Sequence, residues 1–194
     1  MQRVKSGPSK AEVKLSIDSA EQCAAYLSSA GVLLRLCEKH SRYKGLRAEW
    51  PDDQEAWAAA SAEVGLRNPD TATISNVLSC VYDRGIGITY MATIERPAWI
   101  YDGFELLMAI DGPTCRFVVR CEKTGVVKTA SVEWQHYKTH WARVHTKIGP
   151  DALRCLSLVG YGAAYKWPYA WHGLSGKLFR ARYQPRIGEP TQDE

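Results

Sequence analysis

Residues 74–94 read ISNVLSCVYDRGIGITYMATI, and a change of rhythm inside this stretch decides the fold. Up to Arg84, the apolar residues Ile74, Val77, Leu78 and Val81 recur every three or four positions, which lays one stripe along a helix. After Gly85, Ile86, Ile88, Tyr90, Ala92 and Ile94 alternate with Gly87, Thr89, Met91 and Thr93, the two-residue period of a half-buried strand. A chain that switches from helix to strand at Gly85 is expected to be α+β, with N-terminal helices followed by a sheet.

Working back from Gly85, a helix is expected over about 71–84. A second opens at Pro51, whose missing N–H is harmless in a first turn, with Asp52, Asp53 and Glu55 beside the positive end of the helix dipole. Residues 56–62 favour helix, and Gly65 is a natural stop. An earlier helix is expected to start at Asp18, capped with Glu21, and to bury Cys23, Tyr26, Leu27, Ala30, Leu34 and Cys37. Gly31 weakens its middle, and residues 40–50 read as a basic connector. Residues 1–15 read as a flexible leader, so the helical part spans 18–84.

Working forward, Pro97 ends the first strand, and residues 104–110 form a second, closed by Asp111-Gly112-Pro113. Cys115, Phe117, Val119 and Cys121 alternate with Arg116, Val118, Arg120 and Glu122 in a third. Lys123-Thr124-Gly125 turns the chain into a fourth over 126–134. Connections this short predict an antiparallel sheet of about four strands within 86–148, because parallel neighbours need long crossovers. Residues 134–147 suit strand better than helix. Pro150-Asp151 opens a C-terminal helix with Leu153, Leu156 and Val159 buried, ending at Gly160. One domain is expected over 16–184, its C-terminal part (150–184) basic and aromatic, with a loose acidic tail over 185–194.

With 45% hydrophobic and 24% charged residues, the chain is expected to bury a core. No apolar run approaches the roughly 18–20 residues of a membrane span, and the first 14 residues lack a signal-peptide core, so a soluble cytoplasmic protein is expected. Cys23, Cys37, Cys80, Cys115, Cys121 and Cys155 are scattered among apolar neighbours without a CxxC pair. They read as reduced, buried, small hydrophobes rather than disulfides or a zinc site.

The charge is unevenly placed. Residues 1–115 hold 12 Lys and Arg against 15 Asp and Glu, whereas residues 116–187 hold 13 against 3, a net of +10. Such asymmetry points to a polyanionic partner. Ten of the twenty aromatic residues also fall in the C-terminal third: Trp134, Tyr137, Trp141, Tyr161, Tyr165, Trp167, Tyr169, Trp171, Phe179 and Tyr183. Cations neutralise phosphates and aromatic faces stack on bases, so the mixture suits single strands or distorted duplexes. The residues expected to bind are Lys138, Trp141, Arg143, Lys147, Lys166, Trp167, Tyr169, Trp171, Lys177, Arg180 and Arg182.

Other motifs are weaker. Residues 62–66 (AEVGL) and 71–78 (TATISNVL) resemble the turn and recognition helix of a helix-turn-helix, in which Thr71, Thr73, Ser75 and Asn76 would contact DNA. The connection is longer than the usual turn and its surroundings are acidic, so two core helices are expected instead. His136, His140 and His145 cluster near Glu133. On one extended strand, His136 and His140 would lie about 13 Å apart, too far to share a metal ion. Glu105, Asp111 and Glu122 are a thin candidate for an acidic metal triad. Phosphate-loop, nucleophile-elbow and dinucleotide signatures are missing, so no cofactor, metal or catalytic residue is expected. The sequence points first to a non-catalytic nucleic-acid-binding protein, for DNA or RNA. The alternatives are a small interaction or inhibitor module for an acidic or nucleic-acid-binding protein surface, and a metal-dependent nuclease.

Overall fold

A computed structural model describes residues 9–41, 51–67, 72–95, 98–110, 113–122, 124–136, 140–144 and 146–172. Three helices come first: α1 (Lys10–Ser41), α2 (Pro51–Val64) and α3 (Ile74–Arg84). Five strands follow: β1 (Gly85–Glu95), β2 (Ala98–Met108), β3 (Cys115–Cys121), β4 (Val127–His136) and β5 (His140–Val144). The last element is α4 (Pro150–His172). The strands lie in chain order, every neighbouring pair antiparallel. The protein is α+β, and its sheet is the antiparallel meander expected, with five strands rather than about four.

Helix α1 begins eight residues before Asp18 because a better cap lies upstream. The Ser9 N–H donates to Glu12 Oε2 at 2.7 Å and the Glu12 N–H donates to Ser9 Oγ at 3.3 Å, a reciprocal capping box. Residues 10–15, read as leader, are therefore the first turns of α1. At the other end, His40 is buried rather than part of a connector. Asp53 of α2 lies 2.7 Å from His40 Nε2 and accepts from Lys39 Nζ at 2.6 Å. Those two bonds, that to Lys39 first, hold the Asp53 carboxyl below the usual carboxylate range. Helix α3 starts at Ile74 with Thr73 as its cap: the Asn76 N–H donates to Thr73 Oγ1, and the Thr73 N–H donates to Asn76 Oδ1. Two of the polar residues that suggested a recognition helix are thus spent on starting one.

Gly31 does not break α1. Its missing Cβ is where α4 comes closest, since a Cβ built there would sit 1.8 Å from the Asp151 carbonyl oxygen. Two ion pairs flank that crossing, Arg35 with Asp151 and Arg154 with Glu38. Helices α1, α3 and α4 pack on one face of the sheet, with α2 against α1; there Phe104, Leu106, Phe117 and Val119 are fully buried, together with Leu27, Leu34, Val81, Cys155 and Leu156 in one core. Burial of each large side chain contributes roughly 1.5–3 kcal/mol. Five of the six cysteines are buried within it and Cys80 is half-buried. The alternation expected for β1 fails at two places: the register slips between Gly85 and Gly87, where Ile86 is left exposed, and between Met91 and Ala92, where Met91 is buried.

Helix α4 continues past its expected end. Gly160 serves close packing rather than termination: a Cβ there would meet the Gly125 carbonyl oxygen at 2.9 Å and the Phe104 ring at 3.1 Å. From the β3–β4 turn, Gly125, in a left-handed conformation (φ 89°), leaves no room for a Cβ against the Tyr161 backbone. The Tyr101 hydroxyl donates to the Gly160 carbonyl at 3.4 Å. The helix runs on to His172. Among the described residues, no helix is long and apolar enough to cross a membrane.

Candidate nucleic-acid interface

The residues expected to bind fall into three groups. Trp141, Arg143 and Lys147 lie on or just beyond β5. Lys166, Trp167, Tyr169 and Trp171 lie in the second half of α4. Lys138, Lys177, Arg180 and Arg182 lie outside the described residues, as do Tyr137, His145 and residues 185–194.

On β5, Trp141 and Arg143 share a face by strand alternation, and Gln135 and Glu133 of β4 are their cross-strand partners. This is the sheet face opposite the core. Arg143 and Lys147 are exposed and Trp141 is half-buried. The Arg116 guanidinium lies over the Trp141 ring, 4.3 Å from its centroid, a cation–π contact that holds the indole in place. Arg116 also donates to Glu105 at 3.1 Å and to Glu133 at 2.7 Å, bridging three adjacent strands. Burial raises the Glu105 carboxyl above its ordinary value, while Arg116 pulls the other way. Arg120 pairs with Asp102 at 3.0 Å on the same face. The central arginines are therefore neutralised by carboxylates, and the exposed Arg143 and Lys147 lie at the β5 margin.

Sequence reading missed the Arg116 cluster. Arg116 alternates with core residues in β3, but its partners lie on β2 and β4, and only the register brings Glu105 and Glu133 beside it. One residue of the aromatic set and one cation of the basic C-terminal part have structural work instead. Trp134 is buried in the core, and Arg154 ties α4 to Glu38 of α1.

The acidic and histidine candidates are rearranged. Glu105 is engaged by Arg116, Glu122 is exposed at the β3–β4 turn, and Asp111 lies outside the described residues. His136 and His140 are on two strands, not one, and face each other across the β4–β5 ladder. Cross-strand partners have Cα atoms about 4.5–5.5 Å apart, so the 13 Å separation expected for a single strand is wrong. Among the described residues, no group of three or more His, Cys, Asp or Glu is placed to hold a metal ion.

In α4, the buried residues Ala152, Cys155, Leu156 and Val159 give way at Tyr161, which is exposed. Burial pushes the Cys155 thiol up to about 12, as expected for the dry half of the helix. Beyond it, the same helix carries Tyr165, Lys166, Trp167, Tyr169 and Trp171. Compared with models of protein families, with curated proteins and with solved structures, the chain finds no match in any of the three.

Proposed function

We propose that the protein binds single-stranded nucleic acid through the second half of α4 and the adjoining basic segment, with β5 as a second contact. The observation that carries this reading is the continuity of α4. Its first half is anchored in the core, and the same helix runs on to His172 with Tyr161, Tyr165, Lys166, Trp167, Tyr169 and Trp171 at fixed spacing. A helix carrying aromatic residues and cations supplies what sequence-tolerant strand binding needs: ring faces for bases and charge for phosphates. The exposed Arg143 and Lys147 support a second contact at β5. The sheet centre suits phosphates poorly, because Arg116 and Arg120 already hold carboxylates.

Two substitution classes test the reading by fluorescence anisotropy on an oligothymidylate. Lys166→Ala, Lys177→Ala, Arg180→Ala and Arg182→Ala should each weaken binding and lower the log–log salt slope by roughly 0.7. Trp167→Ala and Trp171→Ala should cost roughly 1–3 kcal/mol with little change in slope. Variants that bind as wild type in both classes would refute it. Loss of affinity for an acidic protein in these variants, with no oligonucleotide binding by wild type, would favour the interaction module.

A further inference from the structure

The seven arginines with described side chains divide by what they hold. Arg35, Arg116, Arg120 and Arg154 each pair with a carboxylate. Among the described residues, Arg67, Arg84 and Arg143 pair with none. Arg143 belongs to the β5 margin. Arg67 and Arg84 line one groove, between the C-terminal end of α2 and the outer side of α3, with a volume of about 580 Å³. That is the scale of a small-molecule site.

The groove wall is rich in donors. Asn76 and Ser79 line it, about two turns and about one turn before Arg84 on α3 respectively. Asn76 Oδ1 is already occupied by the Thr73 N–H and hydroxyl, which leaves its amide nitrogen to donate. Arg84 is steadied from below, its guanidinium 6.0 Å from the centroid of the Tyr26 ring, and that ring is fixed by its hydroxyl donating to the Cys80 carbonyl at 3.0 Å. The acidic residue in the lining is Asp83. Burial first, and then Asp83, raise the Cys80 thiol, so it adds no second negative charge at neutral pH. Among the described lining residues, two guanidiniums that hold no carboxylate stand against one carboxylate, a net positive charge, and planar forks of this kind match phosphate oxygens.

We propose that this groove binds a phosphate group carried by a ligand of nucleotide size, with Arg67 and Arg84 as the gripping residues and Asp83 as the group that limits affinity. The phosphate belongs either to a free nucleotide or to one unit of a bound strand. The proposal does not depend on the α4 reading, because neither arginine is on α4 or β5.

The test uses the full chain with two probes, adenosine 5′-diphosphate followed by phosphorus NMR and a labelled oligothymidylate followed by anisotropy. For a free nucleotide, the diphosphate resonances shift on titration, and Arg67→Ala and Arg84→Ala each weaken binding about tenfold or more. Both side chains are exposed and neither holds a carboxylate, so their truncation should leave the melting temperature close to wild type. Asp83→Asn should tighten binding several-fold, a gain that a misfolded variant cannot mimic. Lys10→Ala, which removes an exposed cation outside the groove, should change nothing. If the diphosphate does not bind but the oligothymidylate responds to the three groove variants in these directions, the strand supplies the phosphate. Diphosphate binding without any oligonucleotide binding would support the groove while removing the α4 reading. If neither probe responds to Arg67, Arg84 or Asp83, the proposal is overturned.

Discussion

Gly31→Ala tests the packing on which the placement of α4 depends. A methyl group at Gly31 would lie 1.8 Å from the Asp151 carbonyl oxygen and 2.4 Å from its carbonyl carbon, whereas ordinary contact begins at 3.4 Å. The obstacle is backbone in the first turn of α4, so no rotamer change relieves it. The two helices would have to separate by about 1.6 Å, in a region where gaps of even 0.5–1 Å forfeit a quarter to a half of the dispersion attraction. Overpacking typically costs about 1–3 kcal/mol, and a backbone obstacle belongs at or above the upper end. Alanine returns about 1 kcal/mol through its better helix propensity. The expected net loss is about 2 kcal/mol, which in urea lowers the midpoint by about 1 M. Gly87→Ala is the control: no atom lies within 4 Å of its Cβ position, and stability should be unchanged or slightly higher. A Gly31→Ala midpoint equal to or above wild type would refute the close crossing of α1 and α4.

Three further outcomes are expected. Glu105, raised by burial, binds its proton more tightly folded than unfolded, so the stability it contributes is complete below the ordinary carboxyl range and is lost as pH rises through the folded value. Glu105→Gln should flatten that fall in denaturation midpoints measured across pH, and an unchanged pH profile would contradict the assignment. Thr73→Ala removes the capping box of α3 and should cost about 1 kcal/mol in urea denaturation, with no effect if the cap is not formed. Trp141→Ala removes the ring beneath Arg116 and should weaken oligothymidylate binding without changing its salt slope; wild-type affinity in that variant would remove β5 from the interface.

Periodicity carried the fold well where a single rhythm ran unopposed. The helix-to-strand switch at Gly85 and the alternation of Cys115, Phe117, Val119 and Cys121 were both legible. What the sequence hid were events settled by tertiary contact. Gly31 and Gly160 look like helix breakers in one dimension, but each is a point of close approach, to Asp151 and to Gly125 respectively. The Ser9–Glu12 cap has a capping-box pattern, but it follows a basic, Gly- and Pro-containing stretch whose composition resembles a leader. Of the candidate site, the neighbours Trp141 and Arg143 could be read from alternation alone. The Arg116 clamp and the Arg67–Arg84 groove could not, because each needs residues from separate elements whose relative placement no local pattern encodes.

The most direct test of the central claim is the salt dependence of wild-type binding to an oligothymidylate of about 30 nucleotides, by anisotropy between about 20 and 300 mM salt. Seven cations are assigned to the interface: Lys138, Arg143, Lys147, Lys166, Lys177, Arg180 and Arg182. If four to seven of them meet phosphates, the logarithm of the affinity should fall linearly with the logarithm of salt, with a slope of roughly −3 to −5. Binding should also be tighter than to a duplex of equal length, because only a single strand offers its base faces for stacking. No measurable binding at the lowest salt, or binding whose affinity does not change with salt, would contradict the account.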